Sequence, residues 1–275
     1  MARPATLTVA VVQMASGPHK RTNIARATEL AGQAADTGAA IIAFPETFDY
    51  RGDAAELRDI AEPLPGSMLS PLISVAIQRE VWIVAGSVHE SAPSGGMPYN
   101  TSTLINPQGQ IAAVYRKIHL FDIAIGDRSV TESAKYQPGG EIVHADAAGI
   151  RVGLTICYDL RFPELYRALA DAGSDVVFVP SSFTAPTGEA HWEVLLRARA
   201  IENQCFVVAP GQAGVGAGGI PTYGNSMIID PWGRILARAH TETECVISAV
   251  LNFNEMDNVR SSLPALRNRK IASIR

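Results

Sequence analysis

Three ionisable side chains stand where buried strands should end. Glu46 follows the apolar run AAIIAFP, Lys117 closes AAVYRK, and Cys157 follows IRVGLTI. A carboxyl, an ammonium and a thiol together suit one reaction, the hydrolysis of an amide. The thiolate attacks the carbonyl carbon, and a carboxyl group takes the thiol proton and gives it to the departing amine. An ammonium and a backbone N–H offset the charge on oxygen in the tetrahedral intermediate. Water, deprotonated by the same carboxylate, then cleaves the thioester. Taken singly, each residue has a plainer explanation. Free cysteines commonly fill cores, a carboxylate after a strand can be a loop or cap residue, and an edge-strand lysine can lay its stem on apolar surface. On position alone, core filling is slightly favoured for Cys157. A helix starting at Pro163 would bring Cys157 near unpaired N–H groups, which stabilise a thiolate.

The elements that must carry these residues are legible as alternating runs. LTVAVV, AAIIAF, VWIVAGSV, TSTLIN, QIAAVYR, IRVGLTI, DVVFVP, CFVVAP, NSMIID, RILARA and CVISAVLN read as strands, several of them apolar on both faces. Residues 22–36 repeat apolar positions at Ile24, Ala27, Leu30, Ala31 and Ala34, the period of a helix. SMLSPLISVAIQRE, RFPELYRALADAG and HWEVLLRARAIEN read as three more helices. Strand–helix–strand alternation predicts an α/β fold, a parallel or mixed sheet with helices outside. Sites in such folds form at strand ends. NPQG at 106–109 and DPWG at 230–233 each separate two strand runs, an echo that suggests two similar halves.

The chain has 275 residues, 47% hydrophobic and 18% charged, which supports a sizeable core. At about 150 residues per domain it holds one or two. No Ser/Pro/Gly-rich linker divides it, so residues 1–275 are expected to form one domain. The net charge of −4 comes with no basic block, which argues against a nucleic-acid partner. Three dispersed cysteines suit a reducing, cytoplasmic setting, and six dispersed histidines give no metal-ligand spacing. Neither a metal nor a cofactor is expected. The N-terminal LTVAVVQ reads as a first core strand, not a signal peptide, and no apolar run reaches the roughly 18 residues of a membrane span. GVGAGG at 214–219 lacks dinucleotide-binding spacing and reads as a loop.

FPETF (44–48), YRKIHLFD (115–122) and GLTICYDLRFPEL (153–165) resemble, in order and separation, the three motifs of the nitrilase or carbon–nitrogen hydrolase superfamily. The resemblance runs from about residue 6 to about 270. GEAHWEVLLRARAIENQCFVVAPGQ and YGNSMIIDPWG are similar to the branch that contains omega-amidase and deaminated glutathione amidase. The resemblance implies a four-layer αββα sandwich with two mixed β-sheets. It implies Glu46 as general base and acid, Lys117 and the Tyr158 backbone N–H as oxyanion donors, Cys157 as nucleophile, and Glu132 as a second glutamate that holds the lysine and substrate. Homodimers formed through the helix after the cysteine and the HWEVLLRARA helix, or higher homo-oligomers, are also implied.

Arg161, four residues after Cys157, either clamps a substrate carboxylate or forms a salt bridge with Glu164 or Glu193. The resemblance favours the clamp, with Thr187 beside it. Phe183, His191 and Tyr50 are further candidates for the pocket wall, although a histidine beside Trp192 is more often simply packed. Cys205 and Cys245 read as core. The expected substrate is a small amide bearing a carboxylate, such as a 2-oxo acid omega-amide or deaminated glutathione. Alternatives that keep the same three residues are an N-carbamoyl amine, an aliphatic amide or a nitrile. A silent binding or scaffold protein and a redox sensor at Cys157 are the readings outside hydrolysis.

Overall fold

The computed structural model describes residues 2–93, 95–125, 128–216, 219–240 and 243–271. The first half runs β1 (Thr6–Gln13), α1 (Lys20–Asp36), β2 (Ile41–Ala43), α2 (Leu57–Ile60), α3 (Gly66–Arg79), β3 (Trp82–Val84), β4 (Val88–Glu90), β5 (Tyr99–Ile105) and β6 (Ile111–Arg116). A hairpin follows, β7 (Asp122–Ile125) with β8 (Arg128–Thr131). The second half runs β9 (His144–Ala147), β10 (Ile150–Leu154), α4 (Pro163–Asp171), β11 (Val176–Phe178), α5 (Ala185–Asn203), β12 (Phe206–Ala209), β13 (Met227–Ile229) and β14 (Ile235–Arg238). β15 (Cys245–Asn252), α6 (Phe253–Ser262) and α7 (Ala265–Asn268) close the described chain.

The two sheets share one topology. In the first, β1, β2 and β3 are parallel neighbours, β15 flanks β1 antiparallel, β5 flanks β3 antiparallel, and β6 pairs with β5. In the second, β10, β11 and β12 are parallel, β9 flanks β10 antiparallel, β13 flanks β12 antiparallel, and β14 pairs with β13. The short β4 shares with β3 one edge of β5. The two echoed turns take equivalent places, between β5 and β6 and between β13 and β14. In one, Asn106 Oδ1 accepts from the N–H groups of Gln108 and Gln110; in the other, Asp230 Oδ1 accepts from those of Trp232 and Arg234.

Alternation along the strands makes the layers. Val9 and Val11 of β1 join Ile41, Val84, Val152, Leu154 and Val177 in a core that draws on both sheets. Ala10 and Val12 face the other way, onto Ile24, Ala27 and Leu30 of α1 and Leu69 and Leu72 of α3. Each such valine, leucine or isoleucine side chain contributes about 1.5–3 kcal/mol by leaving water. The result is a four-layer αββα sandwich with two mixed sheets. α5 begins at Ala185, about six residues before the helical pattern in the sequence, with Pro186 in its first turn. Cys205 is sealed in the core, but Cys245 is only half-buried, because β15 is an edge strand.

Candidate active site

Glu46, Lys117 and Cys157 meet at one end of the two sheets. Glu46 lies three residues beyond β2, Lys117 directly follows β6, and Cys157 lies three residues beyond β10. Their backbones are held in place by strand extensions. The Phe44 N–H donates to the Val84 carbonyl, the Lys117 N–H to the Asn100 carbonyl at 2.9 Å, and the Cys157 N–H to the Pro180 carbonyl at 2.8 Å. Cys157 has a φ of 51°, and Thr47, directly after Glu46, a φ of 49°. Left-handed backbone is unfavourable for residues with a side chain and recurs at functional sites.

The side chains interlock in a buried cluster. Lys117 Nζ donates to Glu46 Oε1 at 2.8 Å and to both oxygens of Glu132, at 3.0 and 2.9 Å. Asn100 Nδ2 donates to the same two carboxylates, at 2.9 and 3.3 Å. The Cys157 thiol faces the Glu46 carboxylate, whose charge raises its pKa, while the nearby Ser182 N–H acts in the opposite sense. No described residue accepts from the Tyr158 N–H. Glu132 follows the β7–β8 hairpin, and the Phe121 N–H donates to its Oε2. Gln212 Nε2 donates to the Glu46 carbonyl at 2.9 Å, tying the second half to the first.

Electrostatics fix the resting protonation. Burial pushes the Cys157 thiol well above its ordinary range, and the charge on Glu46 adds to this; Lys117 opposes it only in part. The resting group is therefore the thiol. The turn at Cys157–Arg161 is a short 3-10 helix, so the help that a helix start gives a thiolate is small beside the opposing effect of burial. Burial pulls Lys117 down, but Glu132 and Glu46 outweigh it and hold the ammonium well above the usual lysine range.

The cluster forms the floor of a cavity of 230 Å³. Arg161, Phe183, Thr187 and Tyr50 line it. The Arg161 guanidinium lies over the Phe183 ring at 5.4 Å and makes no ion pair with a described carboxylate, so neither Glu164 nor Glu193 engages it. Thr187 Oγ1 is 2.8 Å from Thr184 Oγ1. His191 departs from expectation. It is exposed on α5, outside the cavity, with Nδ1 3.3 Å from Arg161 Nη1. Asn100, Arg51 and the buried pair His89–Asp49 also belong to the site region but carry no motif. Asn100 begins a buried polar run, Asn100–Thr103, inside a strand, and that run was the available signal. Among the described residues no group of His, Cys, Asp and Glu is placed to hold a metal, and no helix is long and apolar enough to cross a membrane.

A family model described as carbon–nitrogen hydrolase matches residues 8–261. The chain is 42% identical over 268 residues to a deaminated glutathione amidase from Synechocystis, covering 94% of this chain and 97% of that one. It is 35% identical over 263 residues to omega-amidase NIT2 from Homo sapiens, covering 95% and 94%. The crystal structure of the C. elegans NitFhit protein superposes with a TM-score of 0.92 at 35% identity, covering 98% of this chain and 66% of that chain.

Proposed function

The chain belongs to the carbon–nitrogen hydrolase family, and from that premise we propose that Cys157, Glu46 and Lys117 hydrolyse a small carboxylate-bearing amide through a thioester. The enzyme is a hydrolase of carbon–nitrogen bonds other than peptide bonds. The observation that carries the proposal is one carboxylate, Glu46, bonded to the Lys117 ammonium and set beside the Cys157 thiol in a cavity also lined by Arg161, which has no ion pair among the described residues.

In this reading Glu46 takes the thiol proton as sulfur attacks the carbonyl carbon. Two Lys117 N–H groups rest on carboxylates, with Glu132 sharing one across both oxygens, which leaves the third for the oxyanion. The Tyr158 N–H is the second donor. Glu46 passes its proton to the nitrogen, the C–N bond breaks, and the acyl group stays on sulfur. Glu46 then deprotonates the water that releases the acid and restores the thiol. Glu132 and Asn100 hold Lys117 and Glu46 in register.

Arg161 and Thr187 receive the substrate carboxylate, with Phe183 beneath the guanidinium. That favours acids of the 2-oxo omega-amide or deaminated glutathione type, named by the relatives, over neutral amides and nitriles. We read the chain as one cytoplasmic domain that forms a homodimer through α4 and α5. Val194 and Ile201, seven residues apart on one face of α5, are 68% and 46% exposed, as a buried dimer face would require.

The test is mass spectrometry of intact protein soaked with candidate amides, together with ammonia release. The expected result is an acyl mass gain on the Cys157 peptide and turnover that is lost by at least about a thousandfold in Cys157→Ala and Glu46→Gln. Turnover retained in Cys157→Ala, or no acylation by any carboxylate-bearing amide, would overturn the reading.

A further inference from the structure

The cavity holds a second arginine that the chemistry above does not use. Arg51 lines it and lies five residues beyond Glu46. Its Nη1 donates to Gln212 Oε1 at 3.4 Å and to the Ala213 carbonyl at 3.3 Å. No described acceptor meets its Nε or Nη2, and no described carboxylate pairs with it. Gly216 packs against the guanidinium, and a Cβ there would lie 2.6 Å from Nη2. Part of the glycine-rich stretch thus makes room for this side chain. Burial lowers the Arg51 pKa to about 10, with Glu46 offsetting this only in part. A partly desolvated cation without a counter-charge is unfavourable unless a ligand supplies one. Lys135 also lines the cavity without an ion pair, but it is exposed and water satisfies it.

We propose that Arg51 binds a second substrate carboxylate, carried by the departing amine, while Arg161 and Thr187 hold the one on the acyl part. The inference rests on the amidase reading above. The two arginines come from different segments of the chain. Arg161 belongs to the turn of Cys157, where the acyl group remains. Arg51 belongs to the segment of Glu46, which hands the proton to the amine. A bidentate guanidinium–carboxylate contact on that side selects amides whose leaving group is itself an acid, such as an amino acid or a dipeptide. The unsubstituted omega-amide, which releases ammonia, leaves Arg51 unused.

The experiment compares C5 amides of 2-oxoglutarate: the unsubstituted amide, the glycine and glycylglycine amides, and the twins of the last two with the terminal carboxylate capped as a carboxamide. The ratio of kcat/KM between each acid and its capped twin is read. Wild type is expected to favour the acid at least tenfold at one of the two lengths, mainly through KM. Arg51→Met is expected to bring that ratio close to one, and Arg51→Lys to keep part of it. A wild-type ratio near one at both lengths overturns the proposal and needs no variant, so a misfolded Arg51→Met cannot obscure the answer. A ratio unaffected in folded Arg51→Met also overturns it. Hydrolysis of the unsubstituted amide with no leaving-group preference defeats this inference alone. Absence of any Cys157 acylation defeats the amidase reading as well.

Discussion

The Tyr115 hydroxyl donates to Asp159 Oδ2 at 2.7 Å with both side chains fully buried. This bond ties β6, the strand that leads into Lys117, to the turn that begins at Cys157. Asp159 also accepts from the Ile156 N–H at 2.8 Å and the His119 N–H at 3.2 Å. Tyr115→Phe removes the bridge but leaves Asp159 other donors. The expected loss is about 1–2 kcal/mol of stability by urea unfolding. The kcat should fall about ten- to a hundredfold, because lysine and sulfur lose their mutual registration. Unaltered kcat with reduced stability would show the bond to be structural only.

Gly139 and Gly140 separate a tolerated substitution from a forbidden one. A Cβ at Gly139 would lie 2.1 Å from the Arg116 carbonyl oxygen, directly before Lys117, whereas nothing lies within 4 Å of one at Gly140. Gly139→Ala is expected to destabilise the protein by more than about 2 kcal/mol and to displace Lys117. Gly140→Ala should stay within about 0.5 kcal/mol of wild type. Thermal unfolding of the two variants side by side decides this.

The raised Cys157 pKa has a measurable sign. A thiol held above its ordinary range carries less thiolate at neutral pH than an exposed cysteine. Alkylation of Cys157 by iodoacetamide should therefore keep accelerating with pH past the value of about 8.5 for a free cysteine. In Glu46→Gln the negative charge is gone while Lys117 remains, so the profile should move to lower pH. A wild-type plateau below pH 8 would contradict the electrostatics.

Arg161→Ala removes the cation assigned to the acyl-side carboxylate. Removing one partner of such a contact typically costs about 2–5 kcal/mol, at least tenfold in kcat/KM. Neutral amides should lose little or improve. His191→Ala alters only an exposed neighbour of Arg161 and should cost less than tenfold. Equal losses on acidic and neutral amides in Arg161→Ala would contradict the clamp.

The residues at strand exits were readable because a buried run that stops on an ionisable group is chemically odd. The NPQG and DPWG turns revealed the repeated half, since their Asn106 and Asp230 side chains build the same loop. Asn100 left only the polar run of its strand as a sign, and Arg51 left none. Asn100 works from inside a strand, where it looks like one more β residue, and Arg51 sits in a loop whose partners lie some 160 residues away. His191 was misplaced because a helix start was assigned near Trp192, while α5 begins earlier and turns the histidine outward.

Sulfur and carboxylate ride on different sheets, Cys157 on the second and Glu46 on the first. Their contact is therefore a vernier for sliding between the two layers. A shift between the layers that lengthens it would stop proton transfer while leaving every strand pairing intact. Warming should silence the enzyme before circular dichroism registers any loss of strand or helix.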